Sequence, residues 1–175
     1  GASSHRREPP PPNNGVVYLT LRWEPDKRRR TSPPGAIKVQ LRRATSLRAA
    51  DKSGTSDPFV RVSLGGKTEK STVVKKTLDP VWGEGALAAI FTFPCYDLQA
   101  ACEEVGALEL EALDWDQGSF NDSLGIGAAS LAPHRAALGA GEKLELAVRL
   151  ADKPRQGGFA VGVGGPFSHR SATPA

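Results

Sequence analysis

Residues 113–122 (LDWDQGSFND) carry three carboxylates, those of Asp114, Asp116 and Asp122, around a glycine-containing loop. They follow an apolar-alternating run that predicts a strand. At a strand end Asp114 and Asp116 share one direction, because alternate side chains point the same way. Like charges this close repel each other and need neutralising. A divalent cation bound by oxygen ligands is the partner that this pattern favours.

A second loop, residues 50–58, carries Asp51 and Asp57. In a β-sandwich the loops cluster at the two ends, so loops distant in sequence can meet. Five converging carboxylates would form an oxygen cage suited to Ca²⁺, which takes about six to eight oxygens, whereas Mg²⁺ demands stricter geometry. The alternative is that Asp and Gly simply favour turns.

The sequence contains no motif that indicates another kind of metal, nucleotide or catalytic site. Counted from Asp114, the glycine and the acid that an EF-hand loop requires are replaced by Ser119 and Gly125. No glycine motif indicates a P-loop, kinase or dinucleotide site. The three histidines share no metal spacing, and no nucleophile constellation can be argued. The sequence therefore predicts a chain that is not an enzyme.

The composition favours many short strands joined by turns, since 19 glycines and 14 prolines occur among 175 residues and aromatic residues make up 6%. No run of eighteen or more apolar residues is present. The absence of an initiator Met and of a signal-peptide pattern predicts a fragment of a longer protein. Cys95 and Cys102 are too few for a disulfide framework; we expect buried small hydrophobes, with a redox pair as the alternative.

The net charge of +4 is unevenly distributed. Residues 1–43 hold ten Lys/Arg and three acids, whereas the remainder holds thirteen Lys/Arg and sixteen acids. Much of the excess lies in a basic linker, residues 26–35. Such a run can attract anionic phosphates, or it can be an ordinary solvated linker. We expect no nucleic-acid partner.

Alternation and turn signals predict nine short strands and no long helix, and an antiparallel β-sandwich is the architecture that this spacing favours. The predicted strands are residues 15–23, 36–42, 59–64, 71–76, 88–93, 107–115, 124–131, 142–150 and 158–163.

Three motifs together resemble the C2 domain family. Residues 47–60 (LRAADKSGTSDPFV) look like its first calcium loop, and residues 114–125 look like its third. Residues 75–84 resemble its Lys-Thr-Leu-Asn-Pro-x-Trp-Asn-Glu turn, with Asp79 and Gly83 in place of the asparagines. Within that family, the sequence is most similar to the tandem C2 domains of tricalbin and extended-synaptotagmin-like proteins.

This resemblance implies an all-β fold, an eight-stranded antiparallel β-sandwich with Greek-key connections, here with one extra N-terminal strand. It also implies two or three Ca²⁺ ions bound by loops at one end. The implied metal ligands are Asp51, Asp57, Asp114, Asp116 and Asp122, with Ser119 as a weaker ligand and the main-chain carbonyls of Ala50 and Trp115.

The implied function is Ca²⁺-dependent binding to anionic phospholipid membranes, as a targeting or tethering module at the cytoplasmic side of membranes, including membrane contact sites. The residues expected at the lipid are Phe120, Lys52, Lys75 and Lys76. Two alternatives stay open. One is a Ca²⁺-independent protein-interaction or scaffold domain, and the other is the targeting domain of a larger lipid-acting enzyme.

The domain organisation expected from these patterns has five parts. Residues 1–14 form a disordered leader and residues 165–175 a flexible tail. The strand in residues 15–25 belongs to a preceding C2 domain, which would be a neighbouring partner in the same chain. Residues 26–35 are the basic linker, and residues 36–164 form the C2 domain, whose last strand is residues 158–163 rather than residues 15–23.

Overall fold

A computed structural model describes residues 14–28, 34–83, 88–118 and 120–154. The strands are β1 Val16–Pro25, β2 Gly35–Thr45, β3 Pro58–Leu64, β4 Lys67–Lys70, β5 Ala89–Cys95, β6 Ala107–Asp114, β7 Ser123–Ser130 and β8 Leu144–Arg149. Short helical segments follow β5 and β7: a π-helical segment at Ala100–Val105, a 3₁₀ turn at Ala132–His134 and α1 at Arg135–Gly139. Within the described ranges, every helix is too short or too polar to traverse a bilayer.

The strands form two four-stranded sheets, ordered β5-β2-β1-β8 and β4-β3-β6-β7. Neighbouring strands are antiparallel throughout both sheets. Inward-facing apolar side chains of the two sheets make one core, as alternating strand patterns require. The predicted all-β antiparallel sandwich is therefore confirmed.

Strand β1 corrects one expectation of the sequence analysis. The sequence predicts that residues 15–25 belong to a preceding domain, but β1 lies inside this sandwich, hydrogen-bonded to β2 on one side and to β8 on the other. Val17, Leu19 and Leu21 are each at most 1% exposed, so the strand supplies core side chains to this sheet. The prediction was wrong because the basic linker at residues 26–35 has the composition of a domain boundary. Residues 158–163, expected at this position, lie outside the described residues.

The segment at residues 71–76, predicted as a strand, does not form one. The N–H groups of Ser71, Val74 and Thr77 donate to the carbonyls of Val60, Pro58 and Ser56. Successive donors on this segment are thus three residues apart, whereas their acceptors are two residues apart. This unequal spacing breaks the regular strand ladder. The strand that follows β3 is instead β4, which pairs with β3 across the Gly65-Gly66 turn.

The core also anchors the turn that follows this segment. Trp82 is 1% exposed, and its Nε1 donates a 2.9 Å hydrogen bond to the carbonyl of Thr72. Its main-chain N–H donates to the carbonyl of Arg42 on β2. Trp82 therefore ties the irregular segment to the opposite sheet, as expected of a buried indole with a partnered N–H.

Both cysteines are free thiols, with Cys102 buried and Cys95 half-buried. Burial is the largest cause that raises the pKa of each thiol above its usual value. A raised pKa keeps the thiol protonated and weakly nucleophilic. Cys102 is a buried small hydrophobe, as the sequence predicts, whereas Cys95 packs against the core and is only partly buried.

Candidate metal centre

The sheet register places the two acidic loops side by side. We call residues 47–57 the first acidic loop and residues 115–122 the second. The first loop leads into β3 and the second leaves β6, and these antiparallel strands pair Pro58 with Asp114. Because this pair lies at one end of the ladder, both loops emerge at the same end of the sandwich. This is the juxtaposition that the sequence analysis expected.

Three of the five aspartates come together at that end. Asp51, Asp114 and Asp116 each offer a carboxylate oxygen, and these three oxygens lie within 4.8 Å of one another. Asp114 is 2% exposed, whereas Asp51 is exposed and Asp116 is intermediate. One deep and two shallower carboxylates thus form a cup that is open to solvent, an arrangement that can hold a metal ion.

The electrostatics of Asp114 show why this cup favours a cation. Burial raises the pKa of the Asp114 carboxyl above its usual value, and the nearby carboxylates of Asp51, Asp116 and Asp57 raise it further. The hydrogen bond from the Asp57 main chain acts in the opposite direction and lowers the pKa. A positive ion among these oxygens would offset both the desolvation and the mutual repulsion.

A buried serine shapes the first acidic loop. Ser56 is 0% exposed; its hydroxyl accepts a 3.0 Å hydrogen bond from the N–H of Ala50 and donates one of 3.0 Å to the carbonyl of Arg48. At the loop tip, Gly54 has a φ of 82° and donates to the carbonyl of Asp51. These bonds hold Asp51 at the mouth of the cup, on a turn that needs glycine.

The second acidic loop is closed by its own bonds. The N–H of Asp114 donates a 2.8 Å hydrogen bond to the carbonyl of Asp122. The N–H of Asp116 donates a 3.1 Å bond to Oδ1 of Asn121. Gly118, with a φ of 82°, turns the chain between them. Asp122 thus closes the loop through its main chain, and its exposed carboxylate lies outside the cluster of three.

Three contacts connect the first acidic loop to the second loop and to the strand residues that flank it. The N–H of Asp57 donates to Oδ1 of Asp114 at 2.6 Å, and the N–H of Trp115 donates to the carbonyl of Asp57 at 3.0 Å. Farther along, the Arg48 guanidinium donates a hydrogen bond to the carbonyl of Ser123, at the start of β7. The two loops therefore form one connected unit.

The carboxylate of Asp57 is directed elsewhere. Its Oδ1 accepts a 2.8 Å hydrogen bond from the N–H of Lys76, and its Oδ2 lies 3.4 Å from Nζ of Lys75. That same Nζ lies 4.2 Å from the centroid of the Trp115 ring. The predicted strand at residues 71–76 includes both lysines, but this segment is irregular and Lys76 has a φ of 55°.

The remaining predicted residues occupy varied positions. Phe120 is 97% exposed and Lys52 is exposed at the tip of the first loop. Ala50 precedes Asp51 in the chain, and Trp115, which is 37% exposed, lies between Asp114 and Asp116. Ser119 lies outside the described residues. The sequence analysis missed Arg48, Ser56 and Asn121, whose hydrogen bonds to the main chain leave no signature in a sequence.

The chain resembles known proteins over this region. The sequence model described as "C2 domain" matches residues 35–146, more than half of the chain. Human Ras GTPase-activating protein 4 is 44% identical over 96 residues, 53% of this chain and 11% of that protein. Tricalbin-3 of Saccharomyces cerevisiae is 36% identical over 92 residues, 52% of this chain and 5% of that protein. The chain thus spans a small part of each relative's length.

Among solved structures, the RIM C2A domain from Drosophila has a TM-score of 0.59 at 22% sequence identity. The match covers 79% of this chain and 99% of that domain. At this level of identity the likeness shows the shared fold.

Proposed function

Because the chain belongs to the C2 domain family, we propose that it binds Ca²⁺ between its two acidic loops and, with the ion bound, attaches to anionic phospholipid membranes. The observation that carries the proposal is the cluster of Asp51, Asp114 and Asp116, with carboxylate oxygens within 4.8 Å of one another. Oxygen-only ligands of this kind suit a hard cation, and Ca²⁺ is proposed rather than Mg²⁺ because it accepts more oxygen ligands in a less strict geometry.

The ligand set of the proposal is larger than the cluster. Asp57 and Asp122 lie on the same two loops and are proposed as further ligands. Ser119 and the main-chain carbonyls of Ala50 and Trp115 complete the set by resemblance to the family. When bound, Ca²⁺ supplies positive charge and open coordination positions for phosphate or carboxylate oxygens of lipid. Without it, the carboxylates of the cup repel an anionic surface.

The chain's own side chains add to the membrane contact. Phe120 is the apolar residue placed to insert, since it is 97% exposed on the second acidic loop. Burying one such side chain is worth about 1.5–3 kcal/mol. Lys52, at the tip of the first loop, adds on the order of 1 kcal/mol near an anionic surface. The proposed attachment is peripheral, at the cytoplasmic side of membranes; the bound Ca²⁺ supplies the attraction to anionic headgroups, and Phe120 and Lys52 add to it.

A second candidate is a targeting module within a longer protein. It is favoured by the 44% identity to Ras GTPase-activating protein 4, of which the match covers 11%. In that case the domain would bring a separate activity to the membrane. A preceding C2 domain, by contrast, loses its support, because the strand on which it rested is β1 of this sandwich.

Sedimentation with vesicles of phosphatidylserine and phosphatidylcholine, in Ca²⁺ or in chelator, tests the proposal. We expect the wild type to sediment only with Ca²⁺, and the Asp114→Asn/Asp116→Asn variant to stay in solution. The matched control, Glu103→Gln/Glu104→Gln, loses two acids of the π-helical segment, which precedes the other end of β6. If neither chelator nor the aspartate substitutions reduce vesicle binding, the proposed calcium dependence is contradicted. That result would favour a Ca²⁺-independent interaction domain.

A further inference from the structure

The Asp57 carboxylate has partners for both of its oxygens. Its side chain is 18% exposed, Oδ1 accepts the 2.8 Å hydrogen bond from the Lys76 main chain, and Oδ2 faces the Lys75 ammonium at 3.4 Å. Asp57 is therefore outside the cluster of three, although its main-chain N–H touches Asp114. The positive charge of Lys75 beside Oδ2 repels a second cation, so an incoming metal ion competes with the ammonium for this carboxylate.

The ammonium of Lys75 is held on two sides. Besides Asp57, it contacts the face of the Trp115 ring, with 4.2 Å between Nζ and the ring centroid. A cation over an indole face is attracted by the ring quadrupole. Trp115 lies in the chain between Asp114 and Asp116, two members of the cluster. A positive charge thus already lies at the rim of the negative cup.

We propose that Lys75 is the resident counter-ion of this site: it holds Asp57 in the metal-free state and competes with the incoming cation for that carboxylate. The inference rests on the proposed Ca²⁺ function and adds the regulation of the same site. Metal binding releases the Lys75 ammonium from Asp57 beside the acidic loops. The lysine that was paired at rest becomes available to an anionic headgroup once the ion is bound.

The first test asks whether the resting contact exists, and it needs no calcium. The chain has three tryptophans, so labelling with 5-fluorotryptophan gives three ¹⁹F resonances, of which Trp115→Phe assigns one. In chelator, Lys75→Met should shift the Trp115 resonance, and Lys76→Met, the matched loss of a neighbouring charge, should leave it in place. Identical Trp115 resonances in wild type and Lys75→Met would overturn the inference.

The second test measures competition by calcium titration calorimetry on the wild type, Lys75→Met and Lys76→Met. An exposed ion pair and a cation–π contact together weigh roughly three- to tenfold in an equilibrium constant, so Lys75→Met should bind Ca²⁺ about three- to tenfold more tightly than wild type. Lys76→Met removes the same charge from the adjacent position and should gain less than about twofold. Equal increases in Ca²⁺ affinity in both variants would mean that Lys75 acts only through the general electrostatic field, and would overturn the inference that it competes for Asp57.

The two tests separate this inference from the proposed function. A wild type that binds no Ca²⁺ contradicts the proposed function, and with it the competition. The ¹⁹F comparison in chelator still decides the resting contact in that case. A wild type that binds Ca²⁺ with the affinity of Lys75→Met leaves the proposed function intact and contradicts the role of Lys75.

Discussion

The main-chain N–H of Asp57 donates a 2.6 Å hydrogen bond to Oδ1 of Asp114. This bond joins the first acidic loop to the end of β6, and it uses one oxygen of the most buried carboxylate in the cup. The carboxylate of Asp114 thus has a structural role, which is to accept this bond, and an electrostatic one, which is to carry charge where water is scarce. Substitutions at this position separate the two roles.

Asp114→Asn keeps an oxygen that can accept the Asp57 N–H but removes the charge. Because that charge is buried among other carboxylates, we expect the metal-free variant to unfold at a higher temperature than the wild type. Asp114→Ala also leaves the N–H without its partner, so it should be less stable than Asp114→Asn by about 1–3 kcal/mol. Thermal unfolding of the three proteins in chelator measures both differences; an Asn variant less stable than the wild type would contradict the account.

The pH dependence of stability follows from the same carboxyl. Its pKa in the folded protein is raised, first by burial and then by the neighbouring aspartates. Between the usual pKa and the raised one, the folded state binds more protons than the unfolded state, so stability contributed by this group falls as pH rises. In chelator, the advantage of Asp114→Asn over wild type should therefore grow as pH rises through this window and level off above it. An advantage that shrinks with rising pH would refute this assignment.

Ser56→Ala tests the bonds that shape the first acidic loop. The variant loses a fully buried hydroxyl that links Ala50 to Arg48, so we expect a loss of about 1–3 kcal/mol in the free energy of unfolding. Calcium affinity should fall as well, because Asp51 loses its fixed position. Ser53→Ala, in which an exposed hydroxyl near Thr55 is removed, serves as control and should change stability by no more than about 0.5 kcal/mol. Equal effects of both substitutions would argue against Ser56 as the organiser of the loop.

Phe120→Ser tests insertion into the membrane. Phe120 is almost fully exposed in the free domain, so its loss should leave the unfolding temperature unchanged. With Ca²⁺ present, vesicle binding should weaken by about 1.5–3 kcal/mol, the value of one buried aromatic side chain, which is roughly 10- to 150-fold. The control is Tyr96→Ser, an aromatic that is 77% exposed and follows the end of β5 paired with Gly35, away from the acidic loops. If both variants bind vesicles as the wild type does, Phe120 does not insert.

The sequence predicted the features that depend on local pattern. Period-two alternation of apolar residues placed most strands, and the Asp, Gly and Pro residues between them marked the acidic loops. The pairing of Pro58 with Asp114, which brings these loops together, follows from the sandwich architecture. The likeness to C2 domains anticipated the family that the sequence comparison shows.

The features that the sequence could not predict depend on contacts between residues that are distant along the chain. The basic linker after Pro25 indicated a boundary, yet β1 is held by β2 and β8, and pairing of that kind has no local signal. Residues 71–76, with Val73 and Val74, are predicted as a strand, but the side chain of Ser71 accepts a hydrogen bond from the N–H of Val60 and the ladder becomes irregular. Likewise, the contact of Lys75 with Asp57 and Trp115 requires a chain reversal that spacing alone does not show.

Calcium titration calorimetry on the wild type and Asp51→Asn tests the central claim most directly. Asp51 is the exposed member of the cluster, so the substitution removes one ligand charge without disturbing the core. The account predicts saturable binding of Ca²⁺ to the wild type, a loss of about tenfold or more in Asp51→Asn, and unchanged binding in the control Glu104→Gln. Absence of binding to the wild type, or equal affinity of wild type and Asp51→Asn, would contradict the assignment of the acidic loops as a calcium site.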